Sequence, residues 1–268
     1  MSWFFQRLAH EDAVLVTVQA TRGSVPREAG AWMAVFAGTT VATVGGGRLE
    51  QDAIHHARDR LHQGAQDRAD AVVRYALGPS LGQCCGGEVH LRFERVTAQD
   101  ISALTLRLAP RQVPVALFGG GHVGRALVAV LGLLPMDVTW IDSRDEIFPT
   151  EVPGNVRCEH SDPVQAAVAG LPAHSRVLIM SFSHAEDLDI VAACLARQRE
   201  RGDLPYVGLI GSQTKWASFR QRLVARGFSE PELAHITCPI GVVGIADKRP
   251  EVIAVAVAAQ LLQVPMDG

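Results

Sequence analysis

Two stretches of this sequence carry residues whose types and spacing suit chemistry. The first is Gly82-Gln83-Cys84-Cys85-Gly86-Gly87. Adjacent cysteines flanked by glycines make poor core material and are too close in sequence for an ordinary unstrained disulfide. Glycines on both sides leave backbone N–H groups free and let a bulky ligand approach the thiols, and such donors favour the thiolate needed for soft-metal binding or sulfur transfer. A tight turn with no further role is the bland alternative. Cys84 and Cys85 alone do not complete a structural zinc site, and His90 is the one histidine close by in sequence. The second stretch is Gly119-Gly120-Gly121-His122-Val123-Gly124. It follows the apolar run Val115–Phe118 and opens a helical pattern, and Asp142 stands 18 residues after Gly124 at the end of the next apolar run. That is the order of a dinucleotide fingerprint. Gly119 permits the tight turn, Gly121 lets N–H groups approach a phosphate at the helix N-terminus, Gly124 allows close packing, and Asp142 is placed to accept ribose hydroxyls. A loop kept for packing alone would read the same way.

The elements around these residues divide the chain. Ala13–Ala20, Ala31–Phe36, Val41–Val44, Val72–Leu77 and Val89–Val96 read as strands, with a helix over Gln51–Leu61 and a short one over Ile101–Leu108. Pro110 and Pro114 mark a boundary. Beyond it, strand and helix alternate: Val115–Phe118, a helix over Val123–Leu133, then strands at Asp137–Ile141, Arg176–Met180 and Tyr206–Ile210, with helices over Asp187–Arg199, Lys215–Arg226 and Pro250–Leu262. The expected fold is α/β, with a Rossmann-type parallel sheet in residues 110–268 and a smaller α/β domain in residues 1–109. The two Gly-Gly-Gly segments have different flanks and are not read as a repeat.

Composition limits the function. A formal net charge of -3 leaves no cationic excess for a nucleic-acid backbone. No run reaches the roughly 18 apolar residues that span a bilayer, and the first ten residues do not read as a signal peptide, so a cytoplasmic location is expected. Five cysteines, two of them adjacent, suit reduced thiols. A dehydrogenase would need a substrate domain and an acid-base group, yet the residues after Asp142 are consumed in completing the sheet. His184, in Ser181-Phe182-Ser183-His184, is a candidate base or donor, or simply a loop residue at a helix start. Lys215 at the start of another helix would be explained by a nearby anion or by solvent. Arg144 is placed to reach a ring face or a phosphate, or is a plain exposed arginine. His55, His56 and His62 read as surface residues.

Thr21-Arg22-Gly23-Ser24-Val25-Pro26-Arg27, Gly45–Glu50, Gly82–Gly87, Gly119–Gly124, Val207–Ser212 and Pro239-Ile240-Gly241, in this order, closely resemble the XdhC/CoxI family of xanthine dehydrogenase accessory proteins. The resemblance runs from about Ala13 to Leu262. It implies a maturation factor, more a binder than an enzyme, that holds the molybdenum cofactor (molybdopterin), supports its sulfuration by a cysteine desulfurase and delivers it to apo xanthine dehydrogenase; a homodimer is the expected assembly. On this sequence, phosphate-type contacts would fall on Gly119, Gly121, His122 and Gly124, and metal-proximal contacts on Cys84 or Cys85. Phe182 departs from the family pattern, in which a histidine is common there. The rival from another class is an NAD(P)-dependent oxidoreductase using Asp142 for the ribose and His184 as acid-base group.

Overall fold

A computed structural model describes residues 2–63, 70–77, 86–109 and 112–265. The chain divides into two compact units, Met1–Ala109 and Pro110–Gly268.

The first unit is built on an antiparallel sheet of order β3-β2-β1-β5-β4. Its strands are β1 (Ala13–Arg22), β2 (Trp32–Val35), β3 (Thr40–Ala42), β4 (Ala71–Ala76) and β5 (Glu88–Val96). β1 begins as an unbroken apolar run because both its faces are covered. Val14, Val16 and Val18 pack with Leu49, Ala53 and Ala57 of α2 (Gly47–His62), while Ala13 and Leu15 pack with Phe4, Leu8 and Leu104 from α1 (Ser2–Leu8) and α3 (Ile101–Arg107). His56, read from the sequence as a surface residue, lies against the Phe93 ring at 4.5 Å between centroids. The helix start at Ser2 has no strong capping signal, and the sequence reading misses α1.

The second unit is a parallel sheet of order β11-β10-β9-β6-β7-β8. β6 (Val113–Phe118), β7 (Met136–Asp142), β9 (Arg176–Ile179) and β10 (Tyr206–Leu209) fall where the apolar runs put them. β8 (Val156–His160) and the two-residue β11 (Ile236–Thr237) are edge strands, too polar or too short to stand out in the sequence. α4 (His122–Leu131) and α8 (Pro250–Gln263), the helix after the one-turn α7 (Glu230–Leu233), cover one face through Leu127, Leu131, Val257 and Leu261. α5 (His184–Arg201) and α6 (Gln213–Ala225) cover the other through Leu188, Val191, Phe219 and Leu223. Truncating one of these fully buried leucines would cost about 2–5 kcal/mol. The chain leaves β6 toward β7 on one side and returns on the other as β9, so strand order reverses between β6 and β9. Ligands of open α/β sheets bind beyond the carboxyl ends of the strands at such a reversal.

Candidate functional site: the crest of the parallel sheet

The end of β6 is fixed by backbone contacts that exclude side chains. Gly119 has φ of +118°, and a Cβ there would lie 2.0 Å from the carbonyl oxygen of Met180, at the end of β9. A Cβ on Gly124 would lie 2.1 Å from the Gly119 carbonyl oxygen, so α4 sits directly on the loop that starts it. The Trp140 indole Nε1 donates to the same oxygen at 3.0 Å. Gly121 is different. It is the N-cap of α4, in extended conformation, with no side-chain cap and with nothing within 4 Å of a Cβ position. α5 and α6, by contrast, are capped: Ser183 Oγ accepts from Glu186 N, and Ser212 Oγ accepts from Lys215 N. The first turn of α4 therefore presents N–H groups and the positive end of the helix dipole at the strand-order reversal, with His122 exposed as its first residue.

Asp142 ends β7 beside this loop and is 2% exposed. Its carboxylate is already engaged. Oδ2 accepts from Gly120 N at 2.6 Å and from Arg144 Nη2 at 3.0 Å, and Oδ1 accepts from Arg144 N at 3.0 Å and Arg144 Nε at 2.9 Å. Burial pushes its pKa up, but the guanidinium and the two backbone donors outweigh this, so it stays below the ordinary carboxylate range. A ribose diol would have to displace Arg144 to reach it. Arg144 in turn lies over the ring of Phe182, 4.4 Å from its centroid.

His184 opens α5 and is exposed, its ring edge-on to Phe219 at 6.3 Å. Next to it is a cluster that sequence reasoning missed. Asp187, 2% exposed, accepts at Oδ1 from Ser181 N (2.8 Å) and Ser181 Oγ (2.7 Å) and at Oδ2 from Lys215 Nζ (2.6 Å). Lys215 also donates to the Ile210 carbonyl at 2.8 Å. The anion that explains Lys215 is thus Asp187. One signal was available: Asp187 stands in the buried stripe of α5 with Ile190, Val191 and Cys194, where a carboxylate needs a partner. The Cys238 thiol beside this pair is pushed up to about 11 by burial, partly offset by Lys215, and stays protonated.

In the first unit three of the sequence motifs meet. A Cβ on Gly87 would fall 2.3 Å from Ser24 O and 2.6 Å from Arg22 O, and one on Gly45 would fall 2.5 Å from Pro26 Cγ. The Thr21–Arg27 turn is thus flanked by the Gly45–Glu50 loop and by the last glycine of the cysteine segment. Cys84 and Cys85 themselves lie outside the described residues. Among the described residues no group of three or more His, Cys, Asp or Glu is arranged to hold a metal, and no helix is long and apolar enough to cross a membrane.

Of the expected site residues, Gly119, Gly121, His122, Gly124 and Asp142 come together around one loop. His184 stands at the start of α5, the helix that follows β9.

Residues 115–261 match the XdhC Rossmann domain, and residues 7–76 match the XdhC and CoxI family. The uncharacterized protein YqeB of Escherichia coli (strain K12) is 27% identical over 254 residues, which cover 91% of this chain and 42% of YqeB. The chain therefore spans about two fifths of that relative's length. The crystal structure of a xanthine dehydrogenase from Bacillus halodurans has the same fold, with a TM-score of 0.75 and 19% identity over 98% of this chain and 94% of that one.

Proposed function

The chain belongs to the XdhC and CoxI family, and from that premise we propose that it is a cytoplasmic, homodimeric maturation factor that binds the molybdenum cofactor, supports its sulfuration by a cysteine desulfurase and passes it to apo xanthine dehydrogenase. One observation carries the reading: α4 starts at the strand-order reversal with an uncapped glycine N-terminus and open space at Gly121. This cradle fits the phosphate monoester of a pterin cofactor, which would accept from the first-turn N–H groups. Independently of that cradle, the thiols of Cys84 and Cys85 suit a soft metal by their chemistry.

The cofactor supplies the redox chemistry of the enzyme that finally receives it. What this chain contributes is binding. Gly119 and Gly124 hold the loop against β9 and α4, Gly121 keeps its mouth clear, and Asp142 fixes the Gly120 N–H from below. None of these roles needs a proton to move, which suits handover rather than turnover. The rival, a nicotinamide-dependent oxidoreductase, needs Asp142 for a ribose diol, and its oxygens are bonded to Arg144 and Gly120.

Anaerobic ultrafiltration of the protein with molybdenum cofactor, followed by metal analysis and transfer to apo xanthine dehydrogenase, tests the proposal. Stoichiometric retention with regained hydroxylase activity is expected. No retention by the wild-type chain would overturn it, and a Cys84→Ala, Cys85→Ala double variant that retains cofactor as well as wild type would remove the cysteines from the site.

A further inference from the structure

Phe182 is 69% exposed, in the loop between buried β9 and the capped start of α5. Nothing in the packing of the sheet calls for it there, yet both sides of its surroundings are held still. Ser181, the residue before it, is tied by its N–H and its hydroxyl to buried Asp187, which Lys215 anchors in turn. Arg144, whose guanidinium carbon lies 4.4 Å from the Phe182 ring centroid, is locked by its fork on buried Asp142. Two separate buried carboxylates therefore converge on one stacked pair, and most of the ring surface in that pair faces water. The loop that carries the ring also touches the glycine loop: the Ser181 Cα lies 3.1 Å from where a Cβ on Gly119 would sit.

We propose that the Arg144–Phe182 stack is a platform for a flat heteroaromatic ring whose attached phosphate reaches the N-terminus of α4. This rests on the cofactor-binding reading above and names the part of that site that takes the ring. The physical reasons are three. A fixed guanidinium over one face of a phenyl ring orders it before a ligand arrives, so little side-chain freedom is lost on binding. The uncovered ring surface gains by stacking, which tolerates any planar heterocycle. The guanidinium is a permanent cation, held in place by its two bonds to Asp142, and it sits beside a loop that already favours anions. A pterin and a purine nucleotide share this chemistry of flat ring plus phosphate.

The test uses the full chain, its Phe182→Ala variant and its Phe182→Trp variant. Each is titrated by ligand fluorescence or equilibrium dialysis with a pterin carrying one phosphate monoester, with AMP and with inorganic phosphate. Affinity for the ring-bearing ligand is expected to fall about tenfold in Phe182→Ala, the scale of base–aromatic stacking, and to return in Phe182→Trp. Inorganic phosphate should bind all three alike, and the melting temperature of Phe182→Ala should match wild type, because the ring is mostly in water. A loss confined to the pterin identifies a pterin site, and a loss confined to AMP a nucleotide site; either supports the platform. Equal affinity of wild type and Phe182→Ala for both ring probes, or no binding of either probe by wild type, overturns it. The two readings fail separately: retention of molybdenum cofactor with no effect of Phe182→Ala removes only the platform, whereas AMP binding that depends on Phe182 without cofactor retention removes only the carrier.

Discussion

The chain writes Gly-Gly-Gly twice between a strand and a helix, at Gly45–Gly47 and at Gly119–Gly121, and the two loops use their N–H groups in opposite ways. In the first, all three glycines have positive φ, and the answering anion is internal. Glu50, one turn into α2, folds back so that its Oε2 accepts from Val44 N and Gly46 N at 3.1 Å each and from the Thr43 hydroxyl. That loop is closed by its own helix. In the second, only Gly119 has positive φ, and the neighbouring acid, Asp142, reaches only Gly120 N and spends the rest of its capacity on Arg144. The N-cap of α4 receives no side chain. Neither helix has a side-chain cap, but the same three letters build one loop whose N-cap N–H is taken by a carboxylate of its own helix and one whose N-cap receives none. The difference lies in where the nearest carboxylate is rooted: on the helix itself in one case, on the next strand in the other.

The largest effect should come from the glycines that shape the open loop. Gly119→Ala puts a side chain at φ +118° and 2.0 Å from the Met180 carbonyl oxygen, so strain and overpacking together should cost on the order of 3 kcal/mol. Gly121→Ala meets nothing within 4 Å, and its stability should stay within about 0.5 kcal/mol of wild type. Denaturant titration of both variants is the check. Equal midpoints would mean that the open loop does not depend on its contact with β9.

Much of this contrast was hidden in the sequence. The position of the parallel-sheet unit was legible because β6, β7, β9 and β10 are buried on both faces and read as apolar runs, and because strand, glycine loop and helix follow in a spacing few other folds require. The individual roles were less legible. Asp142 stands where a ribose acceptor belongs, and only in the folded chain does Arg144, two residues on, curl back onto it. Lys215 and Asp187 are 28 residues apart and meet because β9 and β10 are neighbours in the sheet. Glu50 reads as an ordinary first-turn acid until the reversed loop is seen. Sequence pattern reports periodic burial well. It does not report which of several nearby charges a carboxylate will choose.

Removing the internal anion of the closed loop sharpens the comparison next. Glu50→Ala leaves the N–H groups of Val44 and Gly46 and the Thr43 hydroxyl without their acceptor, at a cost of about 2 kcal/mol. Hydrogen exchange should show lost protection at Val44 and Gly46 with no change across α4. An added phosphate or sulfate that restores protection at Gly46 would show that Glu50 fills what is otherwise an anion site.

Asp142 should show itself in the acid range. Its carboxyl titrates below the ordinary range in the fold, so it contributes stability at pH values above its unfolded pKa of about 3.9. That contribution is lost as the pH falls through the depressed folded value. Asp142→Asn should therefore lower stability at pH 7 and flatten the fall below about pH 4. Parallel stability–pH curves for the two proteins would mean that Arg144 does not hold Asp142 in solution, and the acid would again be available to a ribose.

The smallest change in stability should carry the sharpest functional consequence. Gly121→Asp places a carboxylate on the extended N-cap of α4, at a position with room for it, and so gives this loop the anion that Glu50 gives the other. A capping aspartate in place of glycine is worth only a few tenths of a kcal/mol, about 0.5 at most, and the variant should melt at or slightly above the wild-type temperature. It should also lose affinity for phosphate and for the cofactor, because the donors are occupied and a negative charge sits where the ligand's charge would go. A stable variant that still binds phosphate as wild type does would place the anion site elsewhere, and the open loop would then be a packing solution like its counterpart.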